Sequence, residues 1–273
     1  MKKVLNVLQT ILSVVLIVLG LGFLGYKGYD KYKNIKLNKN ISSKSDDIYT
    51  EIIGNDIEIS KALADSSNEN SQNNLTNEEK PENDEKYNKY INTLNDEFNN
   101  DDIIARIIIP KINIDYMVVK SMDNEDYLFK DIDGNYSDNG SIFLDKDSNI
   151  DFSDFNTVIY GHKMADGQMF GKLNKYLDPE FVNNGEDNYF KIINSEGEKT
   201  YKIVSSMVIA NDEDIIKNVN SEEFIRQIIE KSEVEFNRPN IDENSKFVSL
   251  ITCFPRNGVI DDERRIAIIA VEL

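Results

Sequence analysis

Short β-rich runs separated by turn-forming residues constrain the fold more than any other feature of this sequence. From residue 103 onward, runs rich in Ile, Val, Tyr and Phe alternate with Gly-, Asn- and Asp-rich segments such as DIDGNYSDNG and NNGEDN. The predicted strands are 103–109, 112–119, 141–145, 157–161, 189–193, 200–210, 246–252 and 265–273. Eight such strands favour a closed or nearly closed barrel, which leaves few strand edges exposed.

Two segments outside these strands have helical spacing. The sequence SEEFIRQIIEKSEVEF begins with Ser221 as predicted N-cap and has two glutamates in its first turn. Its apolar stripe consists of Phe224, Ile225, Ile228 and Ile229. The sequence EKYNKYINTLNDEF, residues 85–98, either packs on the domain that follows or forms a transient helix in a linker. The predicted fold class is therefore all-β with accessory helices.

The N-terminus carries the one apolar run of membrane length. Residues 4–26 contain no charge and would span about 34 Å as a helix. An uncleaved anchor (1–26) is favoured over a cleavable signal peptide, because the run is long and has no A-x-A-like exit. Five lysines follow it within residues 27–39 and favour a cytoplasmic C-terminal part. A long acidic domain can override that bias, so charge alone leaves the orientation open.

The segment after this run is polar and acidic. Residues 40–102 hold sixteen acidic and five basic residues, and ADSSNENSQNNLTNEEKPENDE can bury almost nothing. We therefore predict a tether over 27–85 and a folded domain over 86–273. The net charge of −18 argues against a nucleic-acid partner, because binders of nucleic acid neutralise phosphates with basic patches.

Residue types used only once point to the chemistry. The chain has one Cys and one His, which excludes an internal disulfide and a tetrahedral zinc site built from Cys and His. No phosphate-cradling glycine motif appears. We expect neither a metal nor a cofactor, so any reaction would use ordinary side chains.

Four such side chains stand at strand ends. His162 follows the strand TVIYG, Cys253 follows KFVSLIT, and Arg264 and Arg265 precede the last strand. A thiolate nucleophile needs a base or cationic partner, and acyl transfer needs donors for its oxyanion. Cys, His and Arg supply these roles, with Arg265 preferred to Arg264 because it directly adjoins the strand. The alternative makes Cys253 a buried structural residue and His162 an ordinary surface residue.

The motifs around these residues resemble those of the sortases, the cysteine transpeptidases that attach proteins to Gram-positive cell walls. The segment NTVIYGHKMADGQMFGKLNKY resembles the family's histidine motif, in the class B form Y-G-H followed by M-F and Leu. VSLITC resembles the T-L-x-T-C strand, although Val248 replaces its first Thr. RRIAIIAVEL resembles the arginine-led last strand, and helix 221–235 stands where class B sortases insert theirs. The resemblance covers about residues 86–273.

This resemblance implies an eight-stranded sortase-type β-barrel with an N-terminal helix and a helix between the late strands. It also implies site residues: Cys253 as nucleophile, His162 as acid and base, and Arg265 as the oxyanion donor. Residues implied to line the substrate groove are Thr252, Asn124, Leu128, Ile215 and Ile216, with ordinary loop or core roles as the alternative.

The resemblance further implies that the enzyme cleaves a C-terminal sorting signal, NPxTN-like, after Thr and transfers the protein to a wall amine. Its partners would be secreted proteins bearing that signal, and peptidoglycan or its lipid-linked precursor as acceptor. Localisation would be the cell membrane, with the N-terminus cytoplasmic and the catalytic domain extracytoplasmic. The alternatives are a pilin-polymerising sortase, a plain cysteine peptidase, and a non-catalytic membrane-anchored β-barrel binding module.

Overall fold

In a computed structural model, the structure describes residues 2–54, 80–184, 188–210, 220–256 and 259–273. The chain divides into two compact units, Met1–Lys44 and Ser45–Leu273. Helix α1 (Lys2–Tyr49) continues well beyond the predicted apolar run and ends in a π-helical turn, Thr50–Gly54. From Gln9 it is long and apolar enough to cross a membrane, although an N-terminal signal sequence has the same properties.

Eight strands form the body of the second unit, as the sequence predicts. They are β1 (Ile103–Ile109), β2 (Ile114–Val119), β3 (Ile142–Leu144), β4 (Asn156–Tyr160), β5 (Tyr189–Asn194), β6 (Gly197–Ala210), β7 (Phe247–Arg256) and β8 (Val259–Glu272). Short 3-10 helices lie at Pro110–Ile112, Asp126–Leu128 and Leu173–Leu177. The first of these includes Ile112, the predicted start of the second strand. The strand begins only at Ile114, because Asn113 at the end of the 3-10 helix has a left-handed backbone with φ of +52°.

The strands close into a barrel in the order β1-β2-β3-β4-β7-β8-β6-β5. Most neighbours are antiparallel, and the pairs β2–β3 and β4–β7 are parallel. Parallel neighbours need long connections, and the chain between β4 and β7 includes β5, β6 and a helix. The closed eight-stranded barrel with helices confirms the predicted fold class.

The barrel interior is filled by apolar side chains from all eight strands. In β8 the interior positions are Ile266, Ile268 and Ala270, all fully buried. The residues between them, Ala267 and Ile269, belong to a second cluster on the outer face, as strand alternation requires. This outer cluster comprises Val158, Val204, Met207, Ile209, Phe224, Ile228, Phe247, Ile251, Ala267, Ile269 and Val271.

Two longer helices pack on the outside of the barrel, and a short one, α3 (Pro179–Val182), lies between β4 and β5. Helix α2 (Lys80–Phe98) corresponds to the predicted helical segment 85–98, and its buried Tyr90 and Leu94 show that it packs on the domain. Helix α4 (Ser221–Glu230) buries Phe224 and Ile228 in the outer cluster. The predicted N-cap Ser221 was wrong: Asn220 caps α4, its side chain accepting a 2.9 Å hydrogen bond from the Glu223 N–H.

Candidate active site

The pairing of β4 with β7 sets His162 level with Cys253. Asn156 pairs with Phe247 and Tyr160 with Ile251, so every pair in this parallel ladder has the same sequence spacing. The Gly161 N–H continues the ladder by donating to the Ile251 carbonyl over 3.1 Å. The same spacing separates His162 from Cys253, whose backbone lies in β7. The two residues predicted for catalysis therefore meet at the same end of adjacent strands.

The pairing of β7 with β8 adds Arg265 to this row. Cys253 is the direct partner of Arg265, and the ladder shifts register immediately after this pair. On its other side Arg265 pairs with Ile209 of the outer cluster. Because side chains alternate along a strand, Arg265 shares the outer face with Ala267, whereas Arg264 belongs to the opposite face. We call His162, Cys253 and Arg265 the His–Cys–Arg row.

The guanidinium of Arg265 is held close to its own strand. It is half-buried, and its Nη1 donates to the Arg264 carbonyl over 3.1 Å. A guanidinium offers five N–H donors in a planar fork, a number that can serve more than one oxygen. The arrangement suits an oxyanion donor better than a lysine ammonium, because the donors keep a fixed planar geometry.

The loop that carries His162 depends on a close approach at Gly161. A Cβ at this position would clash with Ile142 and would lie 2.8 Å from Cδ2 of the buried Phe170. The loop is closed by the Phe170 N–H, which donates to the His162 carbonyl over 2.9 Å. It is also tied to β2, because the Met169 N–H donates to the Tyr116 hydroxyl over 3.0 Å. The Y-G-H motif thus needs its glycine for packing.

The His162 imidazole is half-buried and has one defined polar partner. Its Nε2 lies 2.7 Å from the backbone carbonyl oxygen of Leu128. The ring also lies beside Phe129, with ring centroids 5.9 Å apart and a tilt of 45°. The segment that follows the 3-10 helix Asp126–Leu128 therefore forms one wall around the histidine.

The residues predicted to line the groove have different surroundings. Asn124 uses its side-chain amide inside the fold, donating to Asp145 over 3.0 Å and accepting from the Lys146 N–H over 2.8 Å. Leu128 adjoins the site through its backbone carbonyl, and its side chain is half-buried. Thr252 is buried beside the row, and its hydroxyl has no hydrogen-bond partner within the described part of the chain. Ile215 and Ile216 lie outside the described residues.

An exposed aromatic pair next to His162 was not predicted. Phe129 and Tyr136 stack with ring centroids 6.2 Å apart and 9° between their planes. They are 51% and 77% exposed, which is unusual for large aromatic side chains in mutual contact. The sequence offers one signal for them, since both flank the loop DIDGN that turns the chain back on itself.

Much of the folded part of the chain is similar to known proteins. Residues 107–273 match the family model described as the Sortase domain. Sortase B of Listeria monocytogenes is 42% identical over 83 residues, which cover 30% of this chain and 34% of that protein. Sortase B of Staphylococcus aureus is 24% identical over 176 residues, covering 63% of this chain and 70% of that protein.

The solved structure of Clostridium perfringens sortase B has the same fold. It is 28% identical, with a TM-score of 0.58, and the match covers 69% of this chain and 99% of that one. The similar proteins are thus class B sortases. Since the family model matches well over half of the sequence, the chain belongs to the sortase family.

Proposed function

We propose that this chain is a class B-like sortase, a transpeptidase that cleaves a C-terminal sorting signal after Thr and transfers the protein to a peptidoglycan amine. The observation that carries the proposal is the His–Cys–Arg row, in which β4, β7 and β8 bring three residues distant in sequence to one end of the sheet. These three residue types can supply the nucleophile, the proton carrier and the oxyanion donor of thiol-based acyl transfer.

In the acylation step, the Cys253 thiolate attacks the carbonyl carbon of the scissile Thr. The carbonyl oxygen becomes an oxyanion, which the Arg265 guanidinium stabilises. When the intermediate collapses, the C–N bond breaks and the leaving amine takes a proton from protonated His162. The product is a thioester between the substrate Thr and Cys253.

The transfer step reverses these roles. An incoming amine attacks the thioester, gives a proton to His162, and forms a new amide bond while Cys253 leaves as a thiolate. The same row therefore serves both half-reactions. Thr252 adjoins the nucleophile, and Leu128 contacts His162, so both remain candidates for substrate contacts.

Residues 86–273 would form the catalytic domain, and α1 would anchor it to the membrane with the N-terminus inside. The preceding acidic segment would then reach towards the wall. Reporter fusions at residue 40 and at the C-terminus test this orientation. If a reporter that works only in the cytoplasm is active when fused to the C-terminus, the proposed orientation is wrong.

Intact mass spectrometry tests the reaction directly. The full chain in detergent is incubated with NPxTN-like and LPxTG-like peptides, with and without oligoglycine or diaminopimelate. We expect an acyl adduct on the wild type that is absent from Cys253→Ala and is transferred when an amine is present. Arg265→Ala should slow acylation about 100- to 1000-fold, the usual cost of losing an oxyanion donor. The matched control Arg264→Ala should stay within about threefold, because Arg264 belongs to the other face.

Other outcomes identify the alternatives. Release of cleaved peptide to water at a rate that no amine changes would indicate a plain cysteine peptidase. Transfer only to the lysine amine of a pilin-type peptide would indicate pilin polymerisation. The absence of any adduct, together with an unreactive thiol at neutral pH, would indicate a binding module.

A further inference from the structure

The Leu128 backbone carbonyl is hydrogen-bonded to the His162 ring. A carbonyl oxygen carries no proton, so in a hydrogen bond to Nε2 the ring nitrogen must be the donor. A neutral His162 held this way has its proton on Nε2 and an unprotonated Nδ1. Acid–base triads gain most of their advantage from a third group that fixes the tautomer and orientation of the histidine. Here the candidate third group is a main-chain oxygen.

The carbonyls on both sides of Leu128 are already bonded by one loop. The Ser141 N–H donates to the Tyr127 carbonyl over 3.0 Å, and the Ser137 N–H donates to the Phe129 carbonyl over 2.9 Å. The Ser141 hydroxyl donates to the Lys130 carbonyl over 2.8 Å. The loop 131–141 therefore fixes the segment 127–130 while the Leu128 carbonyl is bonded to the imidazole.

Gly140 makes this arrangement possible. Its φ is +57°, and a Cβ there would lie 2.6 Å from the Tyr127 carbonyl oxygen and 2.8 Å from the Leu128 carbonyl carbon, and closer still to the Leu128 oxygen. Contacts this short do not occur for real side chains, so any larger residue must push the Leu128 carbonyl away. Position 140 thus controls where the acceptor of His162 lies.

We propose that Gly140 is a positioning residue for catalysis: by admitting the Leu128 carbonyl to its site, it holds His162 in the Nε2–H form and leaves Nδ1 to exchange protons with the reacting groups. The kinetic part of this inference rests on the proposed transpeptidase function. The hydrogen bond and the tautomer do not depend on it. The tautomer and orientation of the acid–base residue His162 would then depend on a glycine far from it in sequence.

The loop itself supplies a matched control. Gly134 also has a positive φ, +81°, but a Cβ at that position would meet only the flexible end of Lys130, at 4.0 Å. Gly134→Ala therefore introduces the same kind of backbone strain into the same loop. It does so without touching the Leu128 carbonyl.

Nitrogen-15 NMR of the single histidine gives a readout that needs no substrate. In the full chain in detergent, near pH 9, where an imidazole is ordinarily neutral, we expect a protonated Nε2 with a slowly exchanging proton and an unprotonated Nδ1. The Nε2 proton signal should disappear in Gly140→Ala through exchange with water. It should persist in Gly134→Ala.

The acylation rate with the preferred peptide provides the kinetic readout. Gly140→Ala should lower kcat about tenfold, the equivalent of one lost hydrogen bond, with KM nearly unchanged. Gly134→Ala should remain near the wild-type rate. A loss of kcat at constant KM separates a mispositioned histidine from a general weakening of substrate binding.

If Gly140→Ala does not fold, a backbone change at the acceptor itself decides the question. Replacing Phe129 by its α-hydroxy acid, phenyllactate, converts the Leu128–Phe129 amide to an ester, whose carbonyl is a weaker acceptor. Faster exchange of the Nε2 proton and a lower kcat would support the proposal. The proposal is overturned if wild-type His162 carries its proton on Nδ1. It is equally overturned if Gly140→Ala, or the ester variant, keeps the wild-type signal or the wild-type kcat.

Discussion

The two longer helices on the outside of the barrel are attached by different kinds of contact. Helix α4 packs through apolar rings and aliphatic chains, with the Phe224 ring centroid 5.1 Å from that of Phe247. At the N-terminal side, α2 also packs through buried residues such as Leu94, but the last turns of α1, Tyr90 of α2 and the barrel add polar groups, which we call the N-terminal contact (Ser45, Asp46, Tyr49, Tyr90, Arg106, Asp115 and Glu198). Its centre is Arg106, which is only 2% exposed.

The geometry of the N-terminal contact is directional. Arg106 donates through Nε and Nη2 to the two oxygens of Asp115 over 2.7 and 2.6 Å, and Nη2 also reaches Asp46 over 2.7 Å. Burial lowers the pKa of Arg106, but the hydrogen bonds and charges of Asp115, Tyr90 and Asp46 together outweigh burial, so the net pKa is raised. The guanidinium is therefore charged at any working pH.

The two contacts lie on different parts of the barrel and hold different elements in place. The α4 contact covers the outer face of the strands that carry the His–Cys–Arg row. Its Phe224 packs on Phe155 and Phe247 at the starts of β4 and β7, the ends away from the row. The N-terminal contact joins the end of α1 to β1 and β2 through charged hydrogen bonds, which are directional and therefore constrain the orientation of the helix. We therefore expect the apolar α4 contact to contribute more to stability than the N-terminal contact.

Removing the central ring of the α4 contact should have the largest effect on stability. Phe224 is almost fully buried, so Phe224→Ala should lower the free energy of unfolding by about 4 kcal/mol through lost transfer energy and a cavity. Chemical denaturation of the full chain in detergent measures this. Ile229→Ala, on the exposed side of the same helix, serves as control and should cost less than about 1 kcal/mol. Equal losses in the two variants would contradict the packing described.

Breaking the N-terminal contact at its centre should have the next largest effect. Arg106→Ala leaves two carboxylates without their cation and should cost about 3 kcal/mol, at the lower end for buried pairs because Asp46 is largely exposed. The same denaturation measurement applies. Arg226→Ala removes an arginine paired with Glu223 and Glu230 on the surface of α4, and should change stability by no more than about 0.5 kcal/mol. A small effect at position 106 would mean that the contact adds little to folding.

A single hydroxyl of the N-terminal contact should have a smaller effect. Tyr90 and Ser45 share a buried hydrogen bond of 2.6 Å between their hydroxyls. Tyr90→Phe should cost about 1 kcal/mol, because the ring stays in place while Ser45 loses its partner. Tyr136→Phe, which removes an exposed hydroxyl, should be neutral within error. Thermal unfolding of both variants side by side would show whether the buried bond matters.

Of the changes considered, lowering the pH should have the smallest effect on the N-terminal contact. Burial raises the pKa of Glu198, but hydrogen bonds from Lys191 and Tyr49 outweigh it, so the net pKa is lowered. A carboxylate with a depressed folded-state pKa contributes stability that is present above its unfolded-state pKa and is lost as pH falls through the folded-state pKa. Glu198→Gln should therefore flatten the loss of stability between about pH 5 and pH 3.

The exposed neighbour Glu196 gives the control for this acid effect. Glu196→Gln changes the same charge in the same hairpin without touching Lys191 or Tyr49. It should leave the acid profile of unfolding unchanged. If both glutamine variants have the profile of the wild type, Glu198 does not link this contact to pH.

The strands could be predicted from the sequence because β-branched runs and turn residues mark them locally. Helix ends were harder: the apolar run stops at Tyr26, but α1 continues to Tyr49, since a helix needs no apolar residues to propagate. The choice of Ser221 over Asn220 as N-cap failed because both residue types cap well and the sequence places them side by side.

The site was predictable where it rests on side-chain types and unpredictable where it rests on the backbone. His162, Cys253 and Arg265 could be selected as rare or well-placed residues at strand ends. Whether they react stays a prediction until the adduct is measured. The role of the Leu128 carbonyl has no signature in the sequence, because every residue carries a carbonyl and only the loop geometry directs this one towards the imidazole.

Because β4 and β7 are parallel neighbours with two strands and two α-helices between them in the chain, we expect their pairing to be a late event in folding. During synthesis the ribosome completes the histidine strand long before it reaches the cysteine strand. A nascent chain at that stage has a base without a nucleophile, and a barrel that cannot close. Reactivity should therefore appear in one step, when β7 pairs with β4 and β8. An unfinished chain should have no activated thiol that could react with other peptides.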